Sequence, residues 1–379
     1  MSDRGRVAVF VGAGKPFELR EYPLPDPGPG EILVRIRQAN ICGSDVHLWR
    51  GEMERMGRFP PTVLGHEATG VVVKLGRGAE VDSYGAPLRE GDRLVWAYYV
   101  PCGQCPACLR GDVHACATSL VTVHRPCELA PHFVGGFGDY YVIRPQQARF
   151  RAPNELSDEE LAGANCALAQ VLFGFKRVEL RWGESVVIQG AGGLGLYAVA
   201  VAKELGANPI IVVDASSHRL RFAQLLGADA TILLDEHPDP RERTAEVQRL
   251  TGGWGANVVV EVAGVPDPYP EGIRMLGRGG RYLALGSIVP GKTFAADPSL
   301  LIGPNRTIFG VSLYPPGSLL EAVLFLQRRR NHYPFHQIAA QAFPLEEIDN
   351  AFATAAAASA GKGVYTRVGI RPEGAEPRL

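Results

Sequence analysis

Four closely spaced cysteines form the most restrictive pattern in the chain, at Cys102, Cys105, Cys108 and Cys116. Four thiolates this near in sequence can surround one tetrahedral zinc ion, with Zn–S bonds of about 2.3 Å. Such a site leaves no position for water, so it is structural rather than catalytic. Two disulfides within the cluster are the alternative, which a reducing compartment would disfavour. The pattern therefore predicts a small zinc lobe over residues 101–117.

Length, charge and hydropathy exclude several classes of protein. The chain has 379 residues, enough for two domains with a large core. Its formal net charge of -1 indicates neither a nucleic-acid partner nor a membrane partner. No apolar run approaches the ~18 residues of a spanning helix, and the N-terminus lacks the apolar stretch of a signal peptide. These features predict a cytoplasmic protein, in which seven cysteines favour metal binding or catalysis over disulfides.

Two different patterns of secondary structure divide the chain. Residues 1–160 contain short strand-like runs separated by proline and glycine turns, which predicts a β-rich part. Residues 159–180 are predicted to be mainly helical. From 184 to 310, strand-like and helical runs alternate, which indicates right-handed βαβ crossovers and a parallel, doubly wound sheet. A helix near 318–329 and a closing strand near 363–370 complete the predicted order.

A glycine-rich turn lies at the start of the alternating part. The segment Gly190-Ala-Gly-Gly-Leu-Gly195 follows a predicted strand and opens a predicted helix. In that context it predicts a dinucleotide-binding turn, because glycines permit the tight turn, the approach of a pyrophosphate and close helix–strand packing. The helix N-terminus then offers free N–H groups to the phosphates. The candidate cofactor-binding residues of the turn are Gly190, Gly192, Gly193, Leu194 and Gly195.

An acidic residue follows the turn at the distance that dinucleotide sites use. Asp214 ends the next predicted strand, 19 residues after Gly195. A carboxylate there can accept hydrogen bonds from the adenosine ribose and repel a 2′-phosphate, which favours NAD over NADP. Arg219 lies close by and would weaken that preference. The alternative is an ordinary glycine-rich turn, with Asp214 as the cap of the following helix.

Further residues of the types that bind metals are dispersed along the chain. Cys42 follows a predicted strand, His66 lies some twenty residues later, and Cys166 lies near the start of the predicted helix before the nucleotide-binding part. Two thiolates and one imidazole, with an open fourth position, form a known catalytic zinc site. Taken singly, each of these residues is more often part of a hydrophobic core.

In combination these motifs resemble the zinc-dependent medium-chain dehydrogenase/reductase superfamily, of the alcohol dehydrogenase type. The markers occur in the family's order over most of the chain: Cys42-Gly-Ser-Asp-Val-His47, Gly65-His-Glu-Ala-Thr-Gly70, the four-cysteine lobe, Gly190–Gly195 and Asp214. The resemblance implies an α/β fold in which a Rossmann doubly wound parallel sheet joins a β-rich GroES-like catalytic domain that carries the structural zinc lobe. The implied domains are 1–165 (GroES-like), 166–312 (Rossmann, NAD-binding) and 313–379 (C-terminal part of the catalytic domain).

The resemblance also assigns roles to single residues. The implied ligands of a catalytic zinc ion are Cys42, His66 and Cys166. Asp45 would orient His66, and Glu67 would lie beneath the metal. Ser44 and His47 match the proton-relay positions, with a helix cap and a surface histidine as the alternative. Two zinc ions per subunit, NAD as the hydride acceptor and a homodimer or homotetramer are implied as well.

The expected reaction is the reversible oxidation of an alcohol to a ketone or aldehyde, with hydride transfer to NAD. Trp49, Met53 and Tyr98 occur where family members line their substrate pocket, although each is equally compatible with a core position. If they line the site, it is bulky and apolar and suits a secondary or cyclic alcohol. The neighbouring Asn165 is an alternative third ligand, and Arg367 is interpreted as a solvated strand residue.

Two other activities remain open on the sequence alone. Polyol and threonine dehydrogenases of the family place a glutamate where Cys166 stands, so a polyol or amino-alcohol substrate is disfavoured only mildly. A zinc-free quinone or enoyl reductase of the same fold is the second alternative. That branch typically lacks Cys42, His66 and the zinc lobe, which argues against it.

Overall fold

The computed structural model describes residues 3–53, 59–119, 125–359 and 367–372. These residues form two compact units, described separately below: the first uses residues up to 169, 313–358 and 367–372, and the second uses 170–312. The domain bounds predicted from the sequence, 1–165, 166–312 and 313–379, remain a prediction. None of the helices within the described ranges combines the length and apolar character needed to cross a membrane.

The strands are distributed over both units. In chain order they are β1 Arg4–Phe10, β2 Glu18–Pro23, β3 Ile32–Ile41, β4 Thr62–Val63, β5 Glu67–Leu75, β6 Arg93–Trp96, β7 Tyr140–Ile143, β8 Arg149–Arg151, β9 Val186–Gln189, β10 Ile210–Asp214, β11 Ala230–Leu233, β12 Ala256–Glu261, β13 Leu276–Ala284, β14 Thr307–Gly310, β15 Gln341–Phe343 and β16 Val368–Ile370. The predicted closing strand is thus confirmed over its last residues, while 363–366 lie outside the described residues.

The helices are short in the first half of the chain and longer in the second. They are α1 Gly43–Trp49, α2 Pro106–Leu109, α3 Asp158–Leu161, α4 Ala169–Arg177, α5 Gly193–Glu204, α6 Ser217–Leu225, α7 Pro240–Leu250, α8 Pro268–Met275, α9 Ser299–Ile302, α10 Pro316–Arg329 and α11 Ile348–Ser359, with 3₁₀ turns at Val113–Ala115, Phe335–Gln337 and Leu345–Glu347. The predicted helical stretch 159–180 is interrupted, because α3 and α4 are joined through a π-helix at Ala164–Leu168. Leu168 N–H donates to Gly163 O at 3.2 Å, the wider spacing of a π turn.

The first unit is built from two β-sheets. The smaller has the order β2-β1-β4, and the larger has the order β15-β16-β3-β5-β6-β8, with β7 paired to β3. The central strand β3 is almost wholly buried because β5, β7 and β16 pair with it. Its antiparallel register with β5 places Asn40 opposite Glu67. The end of β3 and the start of β5 therefore lie side by side, and both lead into the candidate site.

The second unit contains the predicted parallel sheet. Its strand order is β11-β10-β9-β12-β13-β14, and every neighbouring pair is parallel. Apolar strands such as β9 and β10 are buried at every position, as a parallel sheet covered on both faces requires. The strand order reverses beside β9, and ligands of doubly wound sheets bind at the carboxyl ends of the strands at such a switch point. The α/β fold predicted from the sequence is confirmed.

Candidate metal centres and nucleotide-binding turn

Four potential metal ligands from distant parts of the chain meet in the first unit. One ligand atom from each of Cys42, His66, Glu67 and Cys166 lies within 4.8 Å of the others. Cys42 follows β3, His66 directly precedes β5, and Cys166 lies in the π-helix. The set offers two sulfurs, one imidazole nitrogen and one carboxylate oxygen, and this donor chemistry fits zinc. The structure thus brings together the three residues predicted to bind a catalytic metal.

A buried carboxylate ties two of these segments together. The Cys42 N–H donates to Asp45 Oδ2 at 2.9 Å, and the Gly65 N–H donates to Asp45 Oδ1 at 3.4 Å. The Nδ1 atom of His66 lies 3.5 Å from the same Oδ1. Asp45 is only 2% exposed, so few competing water contacts loosen this arrangement. Its contacts hold the start of α1 against the residues that precede β5.

The two buried thiols beside His66 share one negative charge. The hydrogen bond from Cys166 lowers the pKa of Cys42 well below its ordinary value, and the charge of His66 adds to this effect. The same hydrogen bond, together with burial, raises the pKa of Cys166. Burial opposes protonation of His66, yet the charges of Asp45 and Cys42 raise its pKa well above the ordinary value. Because zinc binds thiolates and neutral imidazole, loading this site releases protons.

The carboxylate of Glu67 is wholly buried next to this cluster. Burial raises the pKa of Glu67 to about 8, and the opposing charge comes from Arg367. The Arg367 guanidinium donates to Glu67 Oε1 and is only 5% exposed, so the interpretation of Arg367 as a solvated strand residue is wrong. A general rule could have predicted that Glu67 has a cationic partner, because a glutamate at the start of a buried strand requires one.

The two predicted relay residues lie on helix α1. Ser44 and His47 are three residues apart, which places them on one face of the helix. The Nδ1 atom of His47 lies 2.8 Å from Glu52 Oε2. The sequence reasoning missed Glu52, although a carboxylate five residues after His47, just beyond the end of α1, is a local signal. This carboxylate favours the tautomer of His47 that leaves Nε2 free to accept a proton.

A cavity opens beside His66. Its lining residues are Gly65, His66, Ala68, Trp96, Tyr98, Val134, Gly136 and Tyr141. Of the residues predicted to line a substrate pocket, Tyr98 lies here, with its ring centroid 4.8 Å from that of His66. Trp49 packs instead on Phe352, at 5.9 Å between ring centroids, and Met53 is buried.

The four cysteines of the predicted lobe also meet. Their sulfurs lie within 4.8 Å of one another, and each is a free thiol. The Cys102 N–H donates to Cys116 Sγ and the Cys105 N–H donates to Cys102 Sγ, both at 3.3 Å. Such bonds stabilise thiolates. Because the structure contains no disulfide among these cysteines, the disulfide alternative is not supported, whereas four converging sulfurs fit a structural zinc ion.

The glycine-rich turn has the conformation that the motif predicts. Gly190 has a φ of +109°, and a Cβ at Gly195 would lie 1.9 Å from Gly190 O. A Cβ at Gly192 would meet nothing within 4 Å, so the space above the turn is open. Gly193 and Leu194 form the first turn of α5, whose free N–H groups can bind phosphate. The cradle fits a dinucleotide.

Asp214 supports this turn through its two carboxylate oxygens. Oδ2 accepts from Ala191 N–H at 2.6 Å, and Oδ1 accepts from Ser216 N–H at 2.8 Å. The helix-cap alternative for Asp214 is wrong, because Ser216 is the N-cap of α6 and accepts from Arg219 N–H at 3.4 Å. Arg219 is buried in the first turn of that helix.

Comparison with known proteins identifies two matching domain families and several relatives. Residues 28–154 match the alcohol dehydrogenase GroES-like domain, and residues 193–328 match the zinc-binding dehydrogenase domain. The chain is 37% identical to 5-exo-hydroxycamphor dehydrogenase of Pseudomonas putida, over 91% of this chain and 94% of the relative. It is 32% identical to L-threonine 3-dehydrogenase of Pyrococcus horikoshii, over 82% of this chain and 84% of that one.

A solved structure extends the agreement to the whole fold. The alcohol dehydrogenase of Thermotoga maritima superposes with a TM-score of 0.87 at 29% identity, covering 97% of this chain and 99% of that one. Both domain matches, the two relatives and this superposition indicate an oxidoreductase that acts on a CH–OH group. The chain belongs to the zinc-dependent medium-chain alcohol dehydrogenase superfamily.

Proposed function

We propose that this protein is an NAD-dependent dehydrogenase that reversibly oxidises an apolar secondary or cyclic alcohol to the ketone. One observation carries the proposal: the ligand atoms of the buried Cys42 and Cys166 and of the half-buried His66 converge beside a cavity lined by aromatic side chains. In this proposal one zinc ion is held by those three residues and a second by the four-cysteine lobe. The protein acts in the cytoplasm, as its composition predicts, and as a homodimer or homotetramer, as the resemblance implies.

Residues of the first unit have different roles in the proposed reaction. Bound zinc supplies Lewis-acid polarisation of the substrate oxygen, and bound NAD supplies the hydride acceptor. Asp45 keeps the His66 ring oriented through Nδ1, and Arg367 donates a hydrogen bond to the buried carboxyl group of Glu67.

Two residues of helix α1 remove the proton of the substrate hydroxyl. Ser44 Oγ takes the substrate hydroxyl proton and passes it to Nε2 of His47. The Nδ1 of that ring is held by Glu52, which also stabilises the imidazolium that forms.

The lining of the cavity beside His66 is better suited to an apolar group than to the charged groups of an amino alcohol. Its charged or polar lining groups are His66, the indole N–H of Trp96 and the hydroxyls of Tyr98 and Tyr141. The Tyr141 hydroxyl already accepts from Gln147 Nε2 at 3.0 Å. Among the described lining residues there is no carboxylate or guanidinium to pair with the ammonium and carboxylate of threonine. The relative named for hydroxycamphor, a cyclic secondary alcohol, therefore offers the closer substrate analogy.

A substrate screen tests this proposal directly. We expect kcat/KM for a bicyclic secondary alcohol to exceed that for L-threonine by at least ~100-fold, because an apolar pocket leaves the charged groups of an amino acid unpaired. The growth of NADH absorbance measures the rate, and metal analysis of the same sample should give about two zinc ions per chain. A preference for threonine would refute the substrate class. A metal-free protein that reduces quinones would point to the zinc-free alternative.

The choice between NAD and NADP is expected to depend on Asp214. An Asp214→Gly variant should bind NAD more weakly and lower the ratio of the NADP to the NAD dissociation constant by about 10-fold, or ~1.4 kcal/mol. Titration of nicotinamide binding by fluorescence measures both constants. The Asp214→Gly substitution also leaves the N–H groups of Ala191 and Ser216 without their acceptor. Asp214→Asn keeps one acceptor oxygen, so it serves as the control for this structural effect. An unchanged ratio in both variants would refute this role.

A further inference from the structure

Asn165 is a buried side chain to which the mechanism above gives no task. It precedes Cys166 in the π-helix and is 0% exposed. Its Nδ2 donates to three backbone carbonyls: His66 O at 3.1 Å, Ala68 O at 3.4 Å and Trp96 O at 2.9 Å. An amide carries only two N–H protons, so at least one is shared between two acceptors. One side chain therefore links the π-helix to β5, β6 and the residue before β5.

The orientation of this amide is fixed by its neighbours. Exchange of the nitrogen and oxygen positions would bring Oδ1 against three carbonyl oxygens, which repel it. Oδ1 itself has no hydrogen-bond partner among the described residues. The Nδ2 group of Asn165 therefore donates its hydrogen bonds to the main chain at and near His66. This contact indicates that the Nδ2 end of Asn165 supports the segment that carries His66.

The main chain of Asn165 is held from the other side by two buried tyrosines. The Tyr314 hydroxyl donates to Asn165 O, and the Tyr99 hydroxyl donates to Tyr314 O. The two rings pack edge to face, at 5.6 Å between centroids. Tyr98 completes the layer, since its ring contacts both Tyr314, at 6.3 Å, and His66, at 4.8 Å. Side chain and backbone of Asn165 are therefore both immobilised.

We propose that Asn165 is a positioning residue of the metal centre, which fixes the separation of Cys166 from His66. The inference rests on the function proposed above. A π turn is an irregular element whose backbone can relax to an ordinary helix, and such a change would rotate Cys166 about the helix axis. Zinc tolerates deviations of only about 0.2 Å in its bond lengths. The amide of Asn165 opposes this relaxation because it clamps the π turn to the strand that begins beside His66.

Cobalt substitution provides the test. We expect Asn165→Ala, loaded with Co²⁺, to show a shifted and weaker d–d absorption than the wild type. Its catalytic-site zinc should pass to a chelator at least ~10-fold faster, the usual scale for loss of a group that orients metal ligands. Zinc in the four-cysteine lobe should be released at the wild-type rate, because the lobe makes none of the hydrogen bonds of Asn165.

Gln147 offers a matched control. It is a buried amide of the same unit, 1% exposed, and its Nε2 donates to Ala97 O at 2.7 Å and to the Tyr141 hydroxyl at 3.0 Å. Gln147→Ala should therefore lose comparable stability but keep the wild-type cobalt spectrum and zinc release rate. A second variant, Tyr314→Phe, removes the hydroxyl that holds Asn165 O and should shift the spectrum in the same direction.

Each outcome decides a different point. A wild-type spectrum and release rate in Asn165→Ala would overturn the positioning role. If that variant does not fold, an unchanged spectrum in Tyr314→Phe overturns it instead, and a shifted one supports it. Equal spectral changes in Gln147→Ala would reduce the effect to general destabilisation and likewise overturn the role. Failure of the wild type to bind cobalt at Cys42 and His66 would refute the proposed function rather than the part played by Asn165.

Discussion

A Cys42→Ala variant is expected to lose at least about 1,000-fold in kcat while it binds NAD almost as tightly as the wild type. The substitution removes one sulfur from a buried cluster and leaves Cys166 and His66 as the remaining strong ligands. Metal analysis should show a fall from about two zinc ions per chain to about one. NAD affinity should persist because the glycine turn and Asp214 lie in the second unit. Turnover, zinc content and NAD titration are measured on one preparation.

Cys127 provides the matched control for that experiment. It is as buried as Cys42 but lies outside both cysteine clusters, where its sulfur accepts from Arg20 at 3.4 Å and from the Tyr22 hydroxyl at 3.6 Å. Cys127→Ala should keep both zinc ions and most of the turnover. Wild-type turnover in Cys42→Ala would refute the assignment of the catalytic centre. Loss of NAD binding together with turnover would indicate misfolding instead.

Cys166 was assigned as a candidate ligand only through the family resemblance, but Cys42 and His66 were predictable as candidates because each lies in a short motif with recognisable chemistry. The partner of Glu67 was not, because Arg367 lies 300 residues away and reaches it only after β16 has joined β3 in the larger sheet. Spacing along the chain carries no information about such a pair. The link from Asn165 to His66 is of the same kind, since it spans 99 residues and depends on a π turn that no periodicity signals.

Secondary structure was predictable where burial imposes a pattern. Strands β9 and β10 are apolar at nearly every position because both faces of the parallel sheet are covered. The edge strand β2 carries no such pattern, since its exposed positions include Glu18 and Glu21 and no apolar face marks it. Edge strands of this kind use charge to resist further pairing, which removes the signal that sequence reasoning uses.

We expect the four-cysteine lobe to contribute to the stability of the fold and not to the catalysed reaction. We expect Cys116→Ser to lose the lobe zinc, to lower the midpoint of thermal unfolding by at least ~5 °C, and to retain the catalytic zinc ion. The N–H of Cys102 and the hydroxyl of Thr118 lower the pKa of Cys116 to about 6, so this thiol loses its proton more readily than an ordinary cysteine. Serine keeps the size of the side chain but supplies a far weaker ligand.

Added zinc separates loss of the ion from damage to the fold. In the wild type, removal of zinc with a chelator and its return should lower and restore the unfolding temperature, because the ion binds only the folded lobe. In Cys116→Ser, returned zinc should leave the unfolding temperature where it was, while turnover per catalytic zinc stays near that of the wild type. A variant with unchanged thermal stability would mean that the lobe is held by its backbone bonds, such as Cys105 N–H to Cys102 Sγ, without the metal. A variant whose turnover falls along with its lobe zinc would instead assign this cluster a part in the reaction.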